Sequence, residues 1–272
     1  MPAIDPMHQF LVHKIVPLPP VSTPFGPLDL SITNSVASML AGAAIVILFF
    51  LLSAKRQIVP GRMQAVGESF YGLIDGVLVG PMMGHSGRPY IPFIFTIFMM
   101  VLIYNLMGIV LTVGNLFGGE LAFTVTAQLA ATATLALLTF ASVLVVGFWK
   151  NGLKFFTLFV PRGVPILILP LIVLIEVISF MVRPLTLAMR LFGNMLGGHV
   201  VMNIFASFVV GLGVFALSGG LAMLGFIGSG LSLAIVVALI GLELVVAFLQ
   251  AFVFAALACV YLNEVVNLGH GH

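Results

Sequence analysis

Two apolar stretches of the chain, Ile166 to Phe215 and Leu221 to Val266, each run for more than forty residues. As helix, at about 1.5 Å per residue, either would be about twice as long as the ~30 Å hydrocarbon core of a bilayer. No soluble core calls for apolar runs of that length, so lipid is the solvent for most of this chain. The composition agrees: 61% of the 272 residues are hydrophobic and 7% are charged, where soluble domains are about a quarter charged. Hydropathy leaves two readings of the long runs open. Each breaks into two ordinary spans, at glycines such as Gly197, Gly198, Gly225, Gly228, Gly230 or Gly241, or each is one long and steeply tilted helix.

The rest of the chain reads as shorter spans. The first, over 35–53, ends in Lys55, Arg56 and Arg62, a basic cluster that the positive-inside rule puts in the cytoplasm. The segment 1–34 then lies outside. In it Phe10, Leu11, Ile15 and Val16 alternate with His8, His13 and Lys14, which suits an amphipathic segment on the membrane surface, with a disordered tail as the alternative. No basic stretch leads into an apolar one there, so no cleavable signal or transit peptide is read. Residues 63–82 carry Glu68 and Asp75 and place Val66, Phe70 and Leu73 at helical spacing, as a helix on the surface does. After Pro89 and Pro92 the spans 93–113 and 125–148 form a hairpin that returns to the basic side at Trp149, Lys150, Lys154 and Arg162. Ser218, Gly219 and Gly220 read as the turn between the long runs, which brings the C-terminus back to the cytoplasm. The fold class is therefore all-α integral membrane, a single polytopic domain over 35–272 with about five inserted helices and one amphipathic surface helix.

Some classes fall away early. The net charge of +2 is spread without a basic run, so there is no electrostatic footprint for nucleic acid. No phosphate loop of the G-x-x-x-x-G-K-[ST] type occurs. The single cysteine, Cys259, cannot form an internal disulfide and reads as a small packing residue.

Ionisable residues inside apolar spans cost about 2.5–3.5 kcal/mol each on insertion scales, so they are paired or kept for function. Here they sit only in the two long runs: Glu176, Arg183, Arg190 and His199 in the first and Glu243 in the second, with Asn194, Asn203 and Gln250 as polar companions. On a helix Glu176, Arg183 and Arg190 recur every seven residues within about 40° of one another, with Asn194 one turn further. His199 stands about 180° from Arg190 and shares its side with Asn203. Glu243 and Gln250 form a stripe of their own.

An arginine suits a site that must stay charged, because its guanidinium resists deprotonation. Histidine and glutamate can titrate near neutral pH, so a His/Glu pair with Asn and Gln around water can hand protons along. A fixed cation flanked by titratable groups is what a proton path with a barrier requires. Against this, Arg190 can serve only to pair with Glu176 inside a bundle. Arg183, beside Pro184, fits a side chain snorkelling to the interface better than a direct role. Asn194 and Gln250 also suit interhelical hydrogen bonds.

The stretch EVISFMVRPLTLAMRLFGNMLGGH, from Glu176 to His199, strongly resembles the most characteristic part of the ATP synthase subunit a family, around its essential arginine in R-L-F-x-N-M. LELVVAFLQAFVFAALACVYLNE, ending at Glu264, resembles that family's final helix. Weaker similarity covers nearly the whole chain, including DPMHQF, VPGRMQ, NLMG at Asn105 to Gly108, TVTAQL at Thr124 to Leu129 and LFVPRGVP. The whole looks most like the alphaproteobacterial and mitochondrial branch. The resemblance implies a stator subunit whose last two helices, 166–215 and 221–266, form a long tilted hairpin against a rotating c-ring. It makes Arg190 the essential charge that faces the ring carboxylate and separates two aqueous half-channels. Asn194, His199, Glu243 and Gln250 fall on positions of the inlet path and ring-facing surface, and Glu176 on the cytoplasmic exit side. Thr186, Arg183 and Asn203 stand as supporting or ring-facing positions.

Some members of the family carry a carboxylate where His199 stands and a histidine where Glu243 stands. This sequence has the exchanged arrangement, which argues that the two face each other across the hairpin. The implied partners are the c-ring, b-type peripheral-stalk subunits, membrane lipids and protons, with no nucleic acid and no cofactor or metal. Such a chain performs no ATP chemistry alone, being a membrane subunit of a two-sector proton-transporting ATPase.

Two rival readings remain from the residues. A proton-coupled secondary transporter also needs midplane Arg, Glu and His, and predicts a substrate cavity and a repeated bundle. A membrane scaffold would use the charges only to hold helices together, and predicts that Arg190 tolerates loss. Protons are favoured over sodium because His199 and Glu243 can titrate, whereas sodium wants more oxygen ligands than this segment supplies. The bacterial-looking start favours a bacterial inner membrane over a mitochondrial one.

Overall fold

The structure, a computed structural model, describes residues 14–17, 21–23, 26–28, 31–55, 57–116, 124–160, 165, 167–218 and 224–268. Five helical tracts among them are long and apolar enough to cross a membrane. They are α1 (Asn34–Ser53), a tract running from α2 (Arg62–Leu73) to α4 (Ile91–Leu116), α5 (Leu129–Asn151), α6 (Leu169–Ala216) and α7 (Gly225–Val266). Two small antiparallel pairs precede α1: β1 (Lys14–Val16) with β4 (Ile32–Thr33), and β2 (Val21–Thr23) with β3 (Gly26–Leu28). The expected amphipathic segment falls mostly on residues 1–13, outside the described residues. At 14–16 the backbone is a strand paired to β4.

Contacts group the chain into two compact units. The first comprises Met1–Ala44, Leu102–Gln128 and Leu191–Leu249, the second Ile45–Val101, Leu129–Arg190 and Gln250–His272.

In the first unit, α1 starts where the Thr33 hydroxyl accepts the Val36 amide at 3.4 Å, an N-cap that satisfies one of the helix's unpaired donors. The Tyr104 hydroxyl of α4 donates to the Met39 carbonyl at 3.1 Å, and Ser35 donates to Gln128 at 2.8 Å. Near their joined ends α6 and α7 lie antiparallel and close. The Ser229 hydroxyl donates to the Val209 carbonyl at 2.8 Å, and a Cβ on Gly225 would come within 2.7 Å of the Leu212 carbonyl oxygen. Of the expected turn, Ser218 is described, its amide bonded to the Phe215 carbonyl at 3.1 Å. Gly219 and Gly220 lie outside the described residues.

In the second unit the segment expected to lie on the surface has a buried face and an exposed one, with Met63, Val66, Tyr71 and Val77 on the exposed side. After α2 come a π-helical turn (Ile74–Val79) and the short α3 (Gly80–Met83), with Ile74, Leu78, Val79 and Met83 all buried. The Cys259 thiol of α7 approaches the Leu78 carbonyl at 3.8 Å, so α7 packs against part of the buried face. Gly84, at φ 57°, ends this stretch in the left-handed conformation that glycine adopts without steric cost, and a 3-10 turn over Gly84–Tyr90 leads into α4.

Neither long run breaks. Leu169–Ala216 is one helix of 48 residues and Gly225–Val266 one of 42, about 70 and 60 Å long. α6 continues through Pro184, which has no amide to donate to the preceding turn. The outward apolar residues, such as Leu40, Leu51 and Val237, are more than half exposed, as lipid-facing positions are.

Candidate functional site

The ionisable residues inside the spans fall into two groups, one in each unit. In the first unit His199 of α6 is completely buried and Glu243 of α7 is 5% exposed. The His199 Nδ1 and a Glu243 carboxyl oxygen stand 4.0 Å apart, beyond hydrogen-bond reach. Both ring nitrogens and both carboxyl oxygens lack a hydrogen-bond partner among the described residues. The backbone next to His199 makes this arrangement possible: a Cβ on Gly198 would sit 2.1 Å from the Glu243 Oε1. Only a glycine leaves the carboxyl that place.

α4 supplies the facing wall. A Cβ on Gly108 would lie 3.5 Å from the His199 Nε2. Asn105 and Thr112, three residues before and four after Gly108, are completely buried and fall on the same helical face. Asn105 donates from Nδ2 to the Ala247 carbonyl at 3.3 Å, while its Oδ1, the Thr112 hydroxyl and the Thr126 hydroxyl have no partner among the described residues. Each such buried group costs about 1–3 kcal/mol unless something hydrogen-bonds to it. Ile109, Ala127, Met195 and Ala247 pack together as an apolar cluster, with Leu106, Val113, Ile240 and Val246 against it. Asn203 is half-buried and Asn194 exposed.

In the second unit the charges are handled differently. Arg183 of α6 makes a charge-assisted hydrogen bond to a Glu264 oxygen of α7. Its guanidinium carbon lies 5.0 Å from the centre of the Tyr261 ring and 5.5 Å from that of Phe180, within cation–π range. Phe180 is itself held by Phe140, Phe159 and Phe155 at centroid distances of 5.0, 5.4 and 6.2 Å. Arg183, expected to snorkel, is paired here, its head held between two rings and a carboxylate and its side chain 25% exposed. Thr186 is exposed and donates to the Arg183 carbonyl at 2.9 Å. Glu176 and Gln250 are half-buried. Arg190 is exposed, and its guanidinium has no ion-pair partner among the described residues.

Sequence reasoning singled out His199 and Glu243 but passed over Asn105, Thr112 and Thr126. The signal was there: Asn105, Gly108 and Thr112 share one helical face in a span that is otherwise apolar. It also did not mark Glu264 as the carboxylate that meets Arg183.

Fold and site together define a polytopic α-helical membrane protein that carries ionisable side chains within its spans. The chain belongs to the ATP synthase A chain family, whose model matches residues 35–263. Among similar proteins, the ATP synthase subunit a of Chelativorans sp. (strain BNC1) is 46% identical over 269 residues, covering 98% of this chain and 100% of the relative. That of Rhodopseudomonas palustris (strain HaA2) is 44% identical over 268 residues, with 98% and 100% covered. That of Rhizobium johnstonii is 46% identical over 269 residues, with 98% and 99% covered. All three relatives are alphaproteobacterial.

Proposed function

We propose that this chain is the proton-translocating stator subunit of an F-type ATP synthase, set in the Fo sector of a bacterial inner membrane against a rotating ring of c subunits. The observation that carries this reading is Arg190: a fixed cation in a membrane helix, exposed on the outside of its unit and left without an ion pair among the described residues. An isolated cation at membrane depth is too costly to keep without a counter-charge. A carboxylate on a neighbouring subunit supplies one, and a carboxylate that is alternately charged and protonated can move past it.

The cluster around His199 and Glu243 supports the other half of the reading. Unpartnered buried polar atoms that converge on one place are satisfied by water, and imidazole, carboxyl, amide and hydroxyl groups joined through water pass protons. In this reading His199, Glu243, Asn105 and Thr112 line the aqueous half-channel that brings protons to the ring, with Asn194 and Gln250 next along the path. Glu176 belongs to the second half-channel, on the cytoplasmic side. Arg190 separates the two, attracting each deprotonated ring carboxylate as it arrives and preventing direct leakage.

The N-terminus then faces outside and the C-terminus the cytoplasm, with Lys55 and Arg62 on the cytoplasmic side. For the full 48 residues of α6 to stay within a ~30 Å core, that helix must lie steeply inclined. Peripheral-stalk subunits of the b type complete the stator.

The test is ATP-driven acidification of inverted membrane vesicles, followed by quenching of a pH-sensitive dye. Arg190→Ala in an assembled complex is expected to abolish the signal. Normal pumping by that variant would overturn the reading and return Arg190 to a structural role.

A further inference from the structure

We propose that Arg183 is a positioning residue: by holding Glu264 it keeps that carboxylate away from Arg190 and leaves the Arg190 guanidinium available to a carboxylate outside this chain. The proposal rests on the reading of Arg190 given above and adds to it a device built from four side chains of the second unit.

Arg183 and Arg190 stand seven residues apart on α6, within about 20° of one another around the helix axis. Both belong to the same unit as Glu264 and Tyr261 on α7. Seven residues are about 10 Å along a helix axis, so Glu264, bonded to Arg183, is anchored about that distance from the level of Arg190 on α6. Coulomb attraction at such range grows as the surroundings become less polar. A Glu264 without Arg183 would therefore be a carboxylate of the chain's own, anchored close to the cation that has to meet a passing one.

The geometry around Arg183 is that of a fixed clamp. The guanidinium bonds Glu264 while lying over the Phe180 and Tyr261 rings, and Phe180 is braced by Phe140, Phe155 and Phe159. Planar stacking of this kind is specific to arginine. The side chains of Arg183 and Glu264 are 25% and 32% exposed, so the pair sits at the edge of the unit, where an unheld carboxylate would be free to swing. The carboxylate most able to compete for Arg190 is the one that has been given a cation of its own.

A mere packing clamp and a charge screen make opposite predictions when both partners are neutralised. The experiment uses whole ATP synthase in inverted vesicles, with ATP-driven proton pumping measured per assembled complex, the amount being read by immunoblot. Arg183→Gln is expected to lower pumping about tenfold, because Glu264 is released towards Arg190. Glu264→Gln alone is expected to stay within about twofold of the parent, and the pair Arg183→Gln with Glu264→Gln to return to that range, since no loose carboxylate remains.

A double variant as impaired as Arg183→Gln would overturn the proposal in favour of a packing role. Loss of pumping in Glu264→Gln would overturn it in favour of a proton-carrying Glu264. Normal pumping in Arg183→Gln would overturn it outright. Arg190→Ala in the same vesicles keeps the two readings apart, because its failure to block pumping would sink the reading of Arg190 whatever the Arg183 series gives.

Discussion

The antiparallel helices α6 and α7 carry two pairs of a basic residue and a glutamate, and they treat them in opposite ways. Arg183 and Glu264 are bonded, flanked by aromatic rings and partly open to the surroundings. His199 and Glu243 are buried, 4.0 Å apart and without a hydrogen-bond partner among the described residues. Satisfied pairs hold elements in place. A pair whose four heteroatoms all remain unsatisfied contributes little to stability and is expensive to bury, so its worth lies in what it can exchange with. The difference separates a charge-holding from a conducting use of the same side-chain chemistry.

Four substitutions break or sharpen that contrast. The largest effect is expected from Glu243→Leu, which removes the titratable carboxyl from the buried pair: ATP-driven dye quenching should vanish while the complex still assembles. Retained pumping would mean that the two pairs are alike after all. Gly198→Ala comes next, since its methyl group would occupy the position of the Glu243 Oε1. The carboxyl must then move, and pumping should drop about tenfold with little change in assembly. Pairing it with the shorter side chain of Glu243→Asp is expected to restore part of the loss, whereas no restoration would point to helix spacing.

Phe180→Ala acts on the other pair. It removes the ring beneath Arg183 and should lower the thermal midpoint of the solubilised complex by the equivalent of about 2 kcal/mol. Asn105→Ala is expected to have the smallest effect. It deletes the bond to the Ala247 carbonyl and one unpartnered oxygen, changing pumping about threefold and stability by about 1 kcal/mol. A stability loss with unchanged pumping would make Asn105 a tie between helices and no part of the proton route.

Most of the architecture was legible in the sequence because span length is set by bilayer thickness, and apolar runs report it directly. The approach of His199 to Glu243 was legible too, from the exchange of residue types in a recognisable stretch. What escaped depended on contacts between distant segments. The partner of Arg183 was not legible because Glu264 lies 81 residues away, and one helix says nothing of what the next one offers. That residues 63–82 are amphipathic was legible, but not which helix covers part of their apolar face. The burial of Ile74 and Val79 depends on α7, which supplies Cys259 beside Leu78. Asn105, Thr112 and Thr126 were passed over because neutral polar residues are unremarkable in a span until their burial and lack of partners are known. The role of Arg190 is not legible from this chain alone, since the group that it would face belongs to another subunit.

The length of α6 has a consequence for the lipid around it. An upright helix that just matches its membrane meets every change in thickness as mismatch, at some fraction of a kcal/mol for each ångström. A rod of about 70 Å lying across a ~30 Å slab makes a shallow angle of about 25° with the membrane plane, and a slab about 3 Å thicker asks it to rise by only about 3°. Such a helix accommodates a change in acyl-chain length by leaning, with its side chains still in register against their neighbours.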